Sequence, residues 1–347
     1  MAQNGGNGWA LTFDIDSSGV VINLAGLNSV TFSPSRTRAT IGGGATVKRT
    51  IDAAYAAGAF VQTGNCNCVG TLGAMLGGGY GNLLGRQGFA VDTVLSMRVV
   101  LADGTAHDVT KNKNPDLFWA LRGAGPNLGV VTSATVQAIP TDQQDMVAWM
   151  GSLVYSPDKL EALVEAIEAL HLSPDMVIFL YMLPDPTGSP SIIAAPVLLQ
   201  GTAEEGRDAF SSLYDVGPFV DTTSVVPYNH WNDASDAFCQ RGGFKPGWGT
   251  GFQSMRKGTW REIWNQYLAF QSRPGATGSG VLMEAYSLDK AKSFGADSSA
   301  FPHRNVRFNA FAVPMYSDPA LHTAARAFGT TVRALLKEND GLPIDQT

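Results

Sequence analysis

Apolar residues fall at helical spacing from Thr46 to Ala57, where Val47, Ile51, Ala54 and Tyr55 share one face and Gly58 supplies a stop. Ahead of that helix, Val20-Val21-Ile22-Asn23-Leu24 reads as a short buried strand, and Ala39-Thr40-Ile41 runs into Gly42-Gly43-Gly44. Met97-Arg98-Val99-Val100-Leu101 followed by Asp103-Gly104-Thr105 predicts a strand entering a hairpin turn. Pro115 to Leu121 opens a short helix, with Pro115 suited to its first turn, and the β-branched run Val130 to Val136 predicts a strand. Composition turns polar from Pro140 to Gln144, which marks a boundary. Beyond it, Leu160 to Leu170 is an amphipathic helix, Met176 to Met182 and Ser191 to Leu199 read as strands, and Ala203 to Tyr214 and Ala320 to Lys337 as helices. Strands and helices mix without regular βαβ alternation, which favours an α+β second half.

Length and composition narrow the classes. A chain of 347 residues predicts two domains, and 44% apolar against 16% charged residues makes it globular. The net charge is −6 with no basic run, which argues against nucleic acid or an anionic membrane surface as partner. No apolar stretch approaches the ~20 residues of a membrane helix. Cys66, Cys68 and Cys239 do not make a disulfide framework, and Cys-x-Cys without a nearby His or further Cys is a poor zinc site, so no metal is expected. Gly123-Ala124-Gly125-Pro126-Asn127-Leu128-Gly129 has its third glycine one residue late and follows a helix, which rejects a dinucleotide fingerprint. His107, His171, His230 and His322 are scattered and read as surface or satisfied histidines.

The candidate chemistry lies between Thr63 and Gly85, in Thr-Gly-Asn-Cys-Asn-Cys-Val-Gly-Thr-Leu-Gly-Ala-Met-Leu-Gly-Gly-Gly-Tyr-Gly-Asn-Leu-Leu-Gly. Glycines let backbone approach a ligand and reach positive φ, and successive amides form an anion site. Four glycines in Gly77-Gly78-Gly79-Tyr80-Gly81 are costly in entropy without a ligand to hold. A thiolate beside such amides is expected to have a depressed pKa.

This segment resembles the flavin-binding core of the berberine-bridge-enzyme-like oxidases of the vanillyl-alcohol-oxidase (PCMH) superfamily. Three further pieces match in the family's order: Gly5-Gly6-Asn7-Gly8-Trp9, the run from Asn114 to Gly125 with Asn127 to Thr132, and Phe301-Pro302-His303-Arg304. The resemblance implies a PCMH-type FAD-binding domain over 1–142 and an α+β substrate domain with an antiparallel sheet over 143–347. It also implies absent pieces, an N-terminal subdomain and a C-terminal return with Tyr-x-Asn, so the chain is expected to be truncated at both ends. A fragment too incomplete for catalysis is the reading this leaves open.

The implied activity is that of an FAD-dependent oxidoreductase passing a hydride from a small organic substrate to flavin, with O2 as acceptor. A flavin-dependent oxidative cyclase is the alternative. The Asn-Cys-Asn-Cys loop is similar to fungal members tied to secondary metabolism, which favours such a substrate over a sugar. The expected cofactor residues are Gly5, Gly6, Asn7, Gly8, Thr63, Gly64, Asn65, Cys66, Val69, Gly70, Gly73, Gly78, Gly79, Tyr80, Gly81, Gly129 and Val131. Cys66 matches the family cysteine that bonds covalently to flavin. Asn7 stands where the family has a flavin-bonded His and cannot make that bond, because an amide nitrogen is not nucleophilic. Tyr181 and Glu284, in strands of the sheet that roofs the flavin in relatives, are the candidate general bases. His303 in Phe-Pro-His-Arg is expected to serve a structural corner.

Overall fold

The structure, a computed structural model, describes residues 1–8, 15–185 and 187–340. Trp9 of the N-terminal glycine motif lies outside the described residues. A first sheet of five antiparallel strands runs in the order Val30–Phe32, Arg38–Gly42, Val130–Gln137, Val94–Val100, Ala106–Thr110. The helix Val47–Ala57 packs beside it. Thr46 caps its start by accepting from the Arg49 N–H at 3.3 Å, and Gly58 ends it at φ 68°, a left-handed conformation that only glycine adopts cheaply.

A second, nine-stranded sheet is antiparallel throughout. Its central strands are Pro190–Leu199, Met176–Pro184, Gly280–Tyr286 and Phe308–Val313, paired in that order. Side chains alternate across a strand, and here the alternation divides two cores. Ile178, Leu180 and Met182 face the helices Leu160–Ala169, Lys257–Gln271 and His322–Asp340. Val177 and Phe179 join the core built on the first sheet, and Tyr181 packs against it. The second sheet is thus buried on both faces, which is why Met176 to Met182 reads as a continuous apolar run.

Two predicted elements differ. Val20 to Leu24 was expected to be a buried strand. Only Ile22–Asn23 is a strand, paired in parallel with Ala2–Gln3 in a two-stranded sheet, and both its residues are exposed. No further strand of the described residues extends that sheet, so only Leu24 sinks inward. Ala203 to Tyr214 is two helices, Ala203–Ala209 and Ser211–Val216. The break falls at Phe210, whose φ of −115° carries its ring into the core against Trp149, with centroids 6.0 Å apart.

The two sheets are locked by one buried ion pair. Asp92 sits in the helical turn Ala90–Thr93 that leads into the strand Val94–Val100. Its carboxylate accepts the Phe89 N–H at 3.0 Å and both terminal nitrogens of Arg304, at 2.9 and 2.7 Å. Arg304 also donates to Ser299 Oγ at 2.7 Å and to the Ala291 carbonyl at 3.3 Å. The two side chains are 0% and 4% exposed. Phe301 lies over Phe89 at 4.6 Å, and His303 meets the Phe301 ring edge-on.

Arg304→Ala should lower stability by about 3–5 kcal/mol, because it strands a buried carboxylate. Arg304→Lys should recover part of that loss, since an ammonium cannot form the two-pronged contact. Thermal and urea unfolding of the three proteins checks the order.

Candidate functional site

The register of the second sheet assembles the floor of a cavity. Phe179 lies directly across from Glu284, Tyr181 across from Leu282, Glu284 across from Asn309 and Leu282 across from Phe311. Paired positions share a face, so a carboxylate is set among aromatic and aliphatic groups. Phe179 and Tyr181 stack with centroids 5.8 Å apart and planes 10° from parallel. Loops of the first half close the cavity from the other side with Asn7, Asn65, Cys66, Val69 and Tyr80, and the turn Asp233–Cys239 adds Ser235 and Phe238. Its volume is about 250 Å³. Seven of the residues singled out in sequence therefore meet in one place: Asn7, Asn65, Cys66, Val69, Tyr80, Tyr181 and Glu284.

Among the described residues, Glu284 is the only carboxylate of this lining. Burial holds its pKa above the ordinary 4.5, opposed by hydrogen bonds from the Tyr286 hydroxyl at 2.9 Å and the Asn309 amide at 3.1 Å. Asn65 donates to the Tyr286 oxygen at 2.9 Å and accepts the Asn82 N–H at 3.2 Å, so the glycine-rich loop is wired to the sheet carboxylate. Burial pushes the phenols of Tyr80, Tyr181 and Tyr286 upward, with Glu284 nearby adding to each shift. Those phenols stay protonated near neutral pH, and Glu284 is the group of the cavity suited to take a proton. Tyr286 and Asn309 were not singled out in sequence; the two-residue period from Glu284 places Tyr286 on its face.

The cysteines depart from expectation in two ways. Cys68 and Cys239 form a disulfide across 171 residues of sequence. Cys66 remains a half-buried thiol, with its sulfur 3.7 Å from that of Cys68 and 3.8 Å from that of Cys239. Spacing alone could not reveal Cys239 as a partner, because the fold brings it in from the second half. The Cys66 thiol, expected to be acidified, is instead pushed up. Burial is the largest cause and outweighs the hydrogen bond from the Cys68 backbone. The Asp233–Cys239 turn is held on the loop by further bonds: Asn67 donates to Asp233 at 3.2 Å and to Asp236 at 2.9 Å, and Asn232 donates to the Gly64 carbonyl at 3.1 Å.

The glycines divide into two groups. Gly78 and Gly79 have φ of 118° and 80°. A Cβ would come within 2.4 Å of Phe301 at Gly78 and of Ala90 at Gly79, and within 1.8 Å of the Thr63 carbonyl at Gly81. At Gly5 it would lie 2.2 Å from the Cys68 carbonyl, and at Gly70 2.7 Å from the Asn4 amide. At these positions close protein packing already requires glycine. Thr63 is buried. Gly73 differs, since a Cβ there meets nothing within 4 Å. It lines a second cavity of about 310 Å³ with Gly129, Val131, Asn4 and Leu24. Gly5, Gly6, Asn7 and Gly8 border a third, larger cavity. Asn7 donates to the Cys68 carbonyl at 3.0 Å and the Gly5 carbonyl at 3.4 Å, which commits its amide hydrogens to the loop and leaves its oxygen for a ligand.

A flat ring system with polar edges suits the first cavity: its walls are parallel aromatic rings and apolar side chains, and Asn7, Asn65 and Glu284 stand at its margins. The second cavity, floored by backbone at Gly73 and Gly129, suits the extended part of a dinucleotide.

Comparison with known proteins agrees with that fit. A sequence profile described as an FAD binding domain matches residues 1–110. FAD-linked oxidoreductase hasG of Aspergillus fumigatus is 35% identical over 343 residues, covering 94% of this chain and 72% of that protein. FAD-linked oxidoreductase OXR1 of Pyricularia oryzae is 29% identical over 350 residues, with 98% and 69% covered. Among solved structures, BBE-like 1 of Physcomitrella patens superposes with a TM-score of 0.80 at 16% identity, over 97% of this chain and 75% of that one. The 6-hydroxy-D-nicotine oxidase of Arthrobacter nicotinovorans gives 0.78 at 22% identity, over 99% and 75%. At those identities the likeness to the solved structures is one of fold.

Cys239→Ser should cost about 2–5 kcal/mol, because the cross-link closes a long loop of the unfolded chain. A reducing agent should lower the melting temperature of the unaltered protein and leave that of Cys239→Ser in place.

Proposed function

The chain belongs to the FAD-linked oxidoreductases, and on that premise we propose that it oxidises a small organic secondary metabolite in the cavity beneath the second sheet, with Glu284 as general base. When bound, FAD would supply the electron sink for hydride removal, with O2 the proposed final acceptor. The fold is the PCMH-type α+β fold. We take residues 1–142 as the cofactor-binding domain and 143–347 as the substrate domain.

The observation that carries this reading is the position of Glu284: a half-buried carboxylate with its pKa raised by desolvation, in the cavity that Cys66, Asn65 and Tyr80 enter from the cofactor half. Such a carboxylate is a stronger base than an exposed one, and Asn309 and Tyr286 fix its two oxygens. Tyr181, with its phenol held protonated, donates a hydrogen bond to substrate and orients it. Phe179, Leu282 and Phe311 exclude water and offer a sugar few partners for its hydroxyls, which supports an apolar or aromatic substrate. The loop of Asn65, Cys66 and Val69 would hold the flavin, with Gly73, Gly129 and Val131 along the dinucleotide. Cys66 is the proposed covalent attachment point, and Asn7 is not.

Glu284→Gln should keep its flavin and its fold while slowing flavin bleaching by about 10²-fold or more, measured by stopped flow against a panel of phenolic and polyketide alcohols. The base works only when ionised. The rate of the unaltered protein should therefore fall as pH drops through a value above the ordinary carboxylate 4.5, and that acid limb should vanish in Glu284→Gln. Bleaching at the unaltered rate in the variant would remove Glu284 from the chemistry.

Acid precipitation should leave yellow flavin in the protein pellet, and Cys66→Ala should release it to the supernatant. Attachment should be faster at higher pH, because the raised Cys66 thiol must lose its proton before it can bond. Flavin recovered free from the unaltered holoprotein would argue against the linkage.

A further inference from the structure

The largest cavity described, about 910 Å³, adjoins the proposed active cavity and shares Asn7 and Phe238 with it. Its charge is one-sided. Among the described residues, Arg241, Lys245, Arg326 and Arg333 line it, and no aspartate or glutamate does. The chain as a whole carries a net charge of −6, so this concentration of cations runs against its average. Arg326 and Arg333 stand seven residues apart on the helix His322–Asp340, two turns, and so project from one face. Among the described residues, Arg241, Arg326 and Arg333 take no part in an ion pair. Among the described residues, Lys245 donates to the Gln240 carbonyl and forms no ion pair. The floor beside them is aromatic: Phe244 stacks on Tyr316 at 5.3 Å, and His322 meets Phe244 edge-on at 4.6 Å with its Nδ1 bonded to the Tyr316 hydroxyl at 2.8 Å.

We propose that this cavity is the vestibule of the active site and selects substrates that carry a carboxylate, which Arg326, Arg333 and Arg241 hold while the apolar body of the molecule reaches past Phe238 toward Glu284. The proposal rests on the reading of the Glu284 cavity as the place of oxidation, and it adds the substrate class. Guanidinium groups suit the task because they bind carboxylate with two parallel hydrogen bonds and stack on aromatic rings. A mouth of one sign also raises the local concentration of an oppositely charged substrate, which the negative remainder of the surface would repel. The second cavity, proposed for the dinucleotide, has no Arg or Lys among the described residues of its lining, whereas Gly5, Gly6 and Gly8 border the cationic cavity, so the flavin content of the variants below separates a substrate carboxylate from a cofactor phosphate.

Isothermal titration of the purified chain with 2-naphthoate and with neutral 2-naphthalenemethanol tests this. The acid should bind about tenfold or more tightly than the alcohol, and salt near about 0.5 M should erase most of that difference. The double variant Arg326→Ala/Arg333→Ala should lose about tenfold in affinity for the acid and none for the alcohol. Both positions are exposed, so the fold should survive, and Arg241→Ala provides an independent second variant. Equal binding of the two probes by the unaltered chain would overturn the proposal, as would undiminished acid binding by both variants. Loss of flavin in the double variant with flavin-rich unaltered protein would overturn it too, by assigning the cations to the cofactor. Neither probe needs to be oxidised, so the result stands apart from whether Glu284 is the base.

Discussion

The cavity between the two sheets exists because Asp92 and Arg304 meet in the interior. Neither charge has water to fall back on, and the opposite charge of each is supplied by the other, with Phe89, Ser299 and Ala291 adding hydrogen bonds. The partners lie 212 residues apart, one at the entry to a strand of the first sheet, the other in the corner that follows the Ala296–Ser298 turn. With that pair made, Phe301 is pressed onto Gly78 and Phe89, and the glycine-rich loop is set under the second sheet. Asn65 then reaches Tyr286, and Tyr286 reaches Glu284. The geometry of the cavity rests on a contact that is not part of its lining.

Local and distant information were not equally legible. The helix Val47–Ala57, the strands Met176–Pro184 and Pro190–Leu199 and the family motif are written in short windows, where period and turn residues decide the outcome. Glu284 and Tyr181 were expected at the site because they lie in strands of the sheet that roofs the flavin in relatives, and the structure brings both to the lining of one cavity. What escaped reading was set by tertiary contact. Cys239 has no mark that distinguishes it from a buried thiol until the fold carries it to Cys68. The acidity of Cys66 was misread for the same reason, since burial by the Asp233–Cys239 turn outweighs its local amides. Phe210 breaks a helix that propensity would continue, because the core wants its ring.

The glycines teach a narrower lesson. A run rich in glycine points to a ligand only where the space beside the backbone is empty. Gly73 meets that test, and Gly78, Gly79 and Gly81 fill their space with Phe301, Ala90 and Thr63. The same loop thus packs against protein at one end and lines open space at the other, and sequence alone gives both ends the same appearance.

The burial of the second sheet on both faces has a consequence for how such an enzyme can diversify. Tyr181 and Glu284 alternate with Met182 and Met283, which belong to the core behind them. Replacing a side chain on the cavity face alters what the site accepts and leaves the other core untouched. Inserting or deleting one residue in either strand would exchange the faces, drive a carboxylate into the helical core and present methionine to the cavity. New substrates are therefore open to this architecture through substitution, while the lengths of Met176–Pro184 and Gly280–Tyr286 are held fixed by the sheet they share.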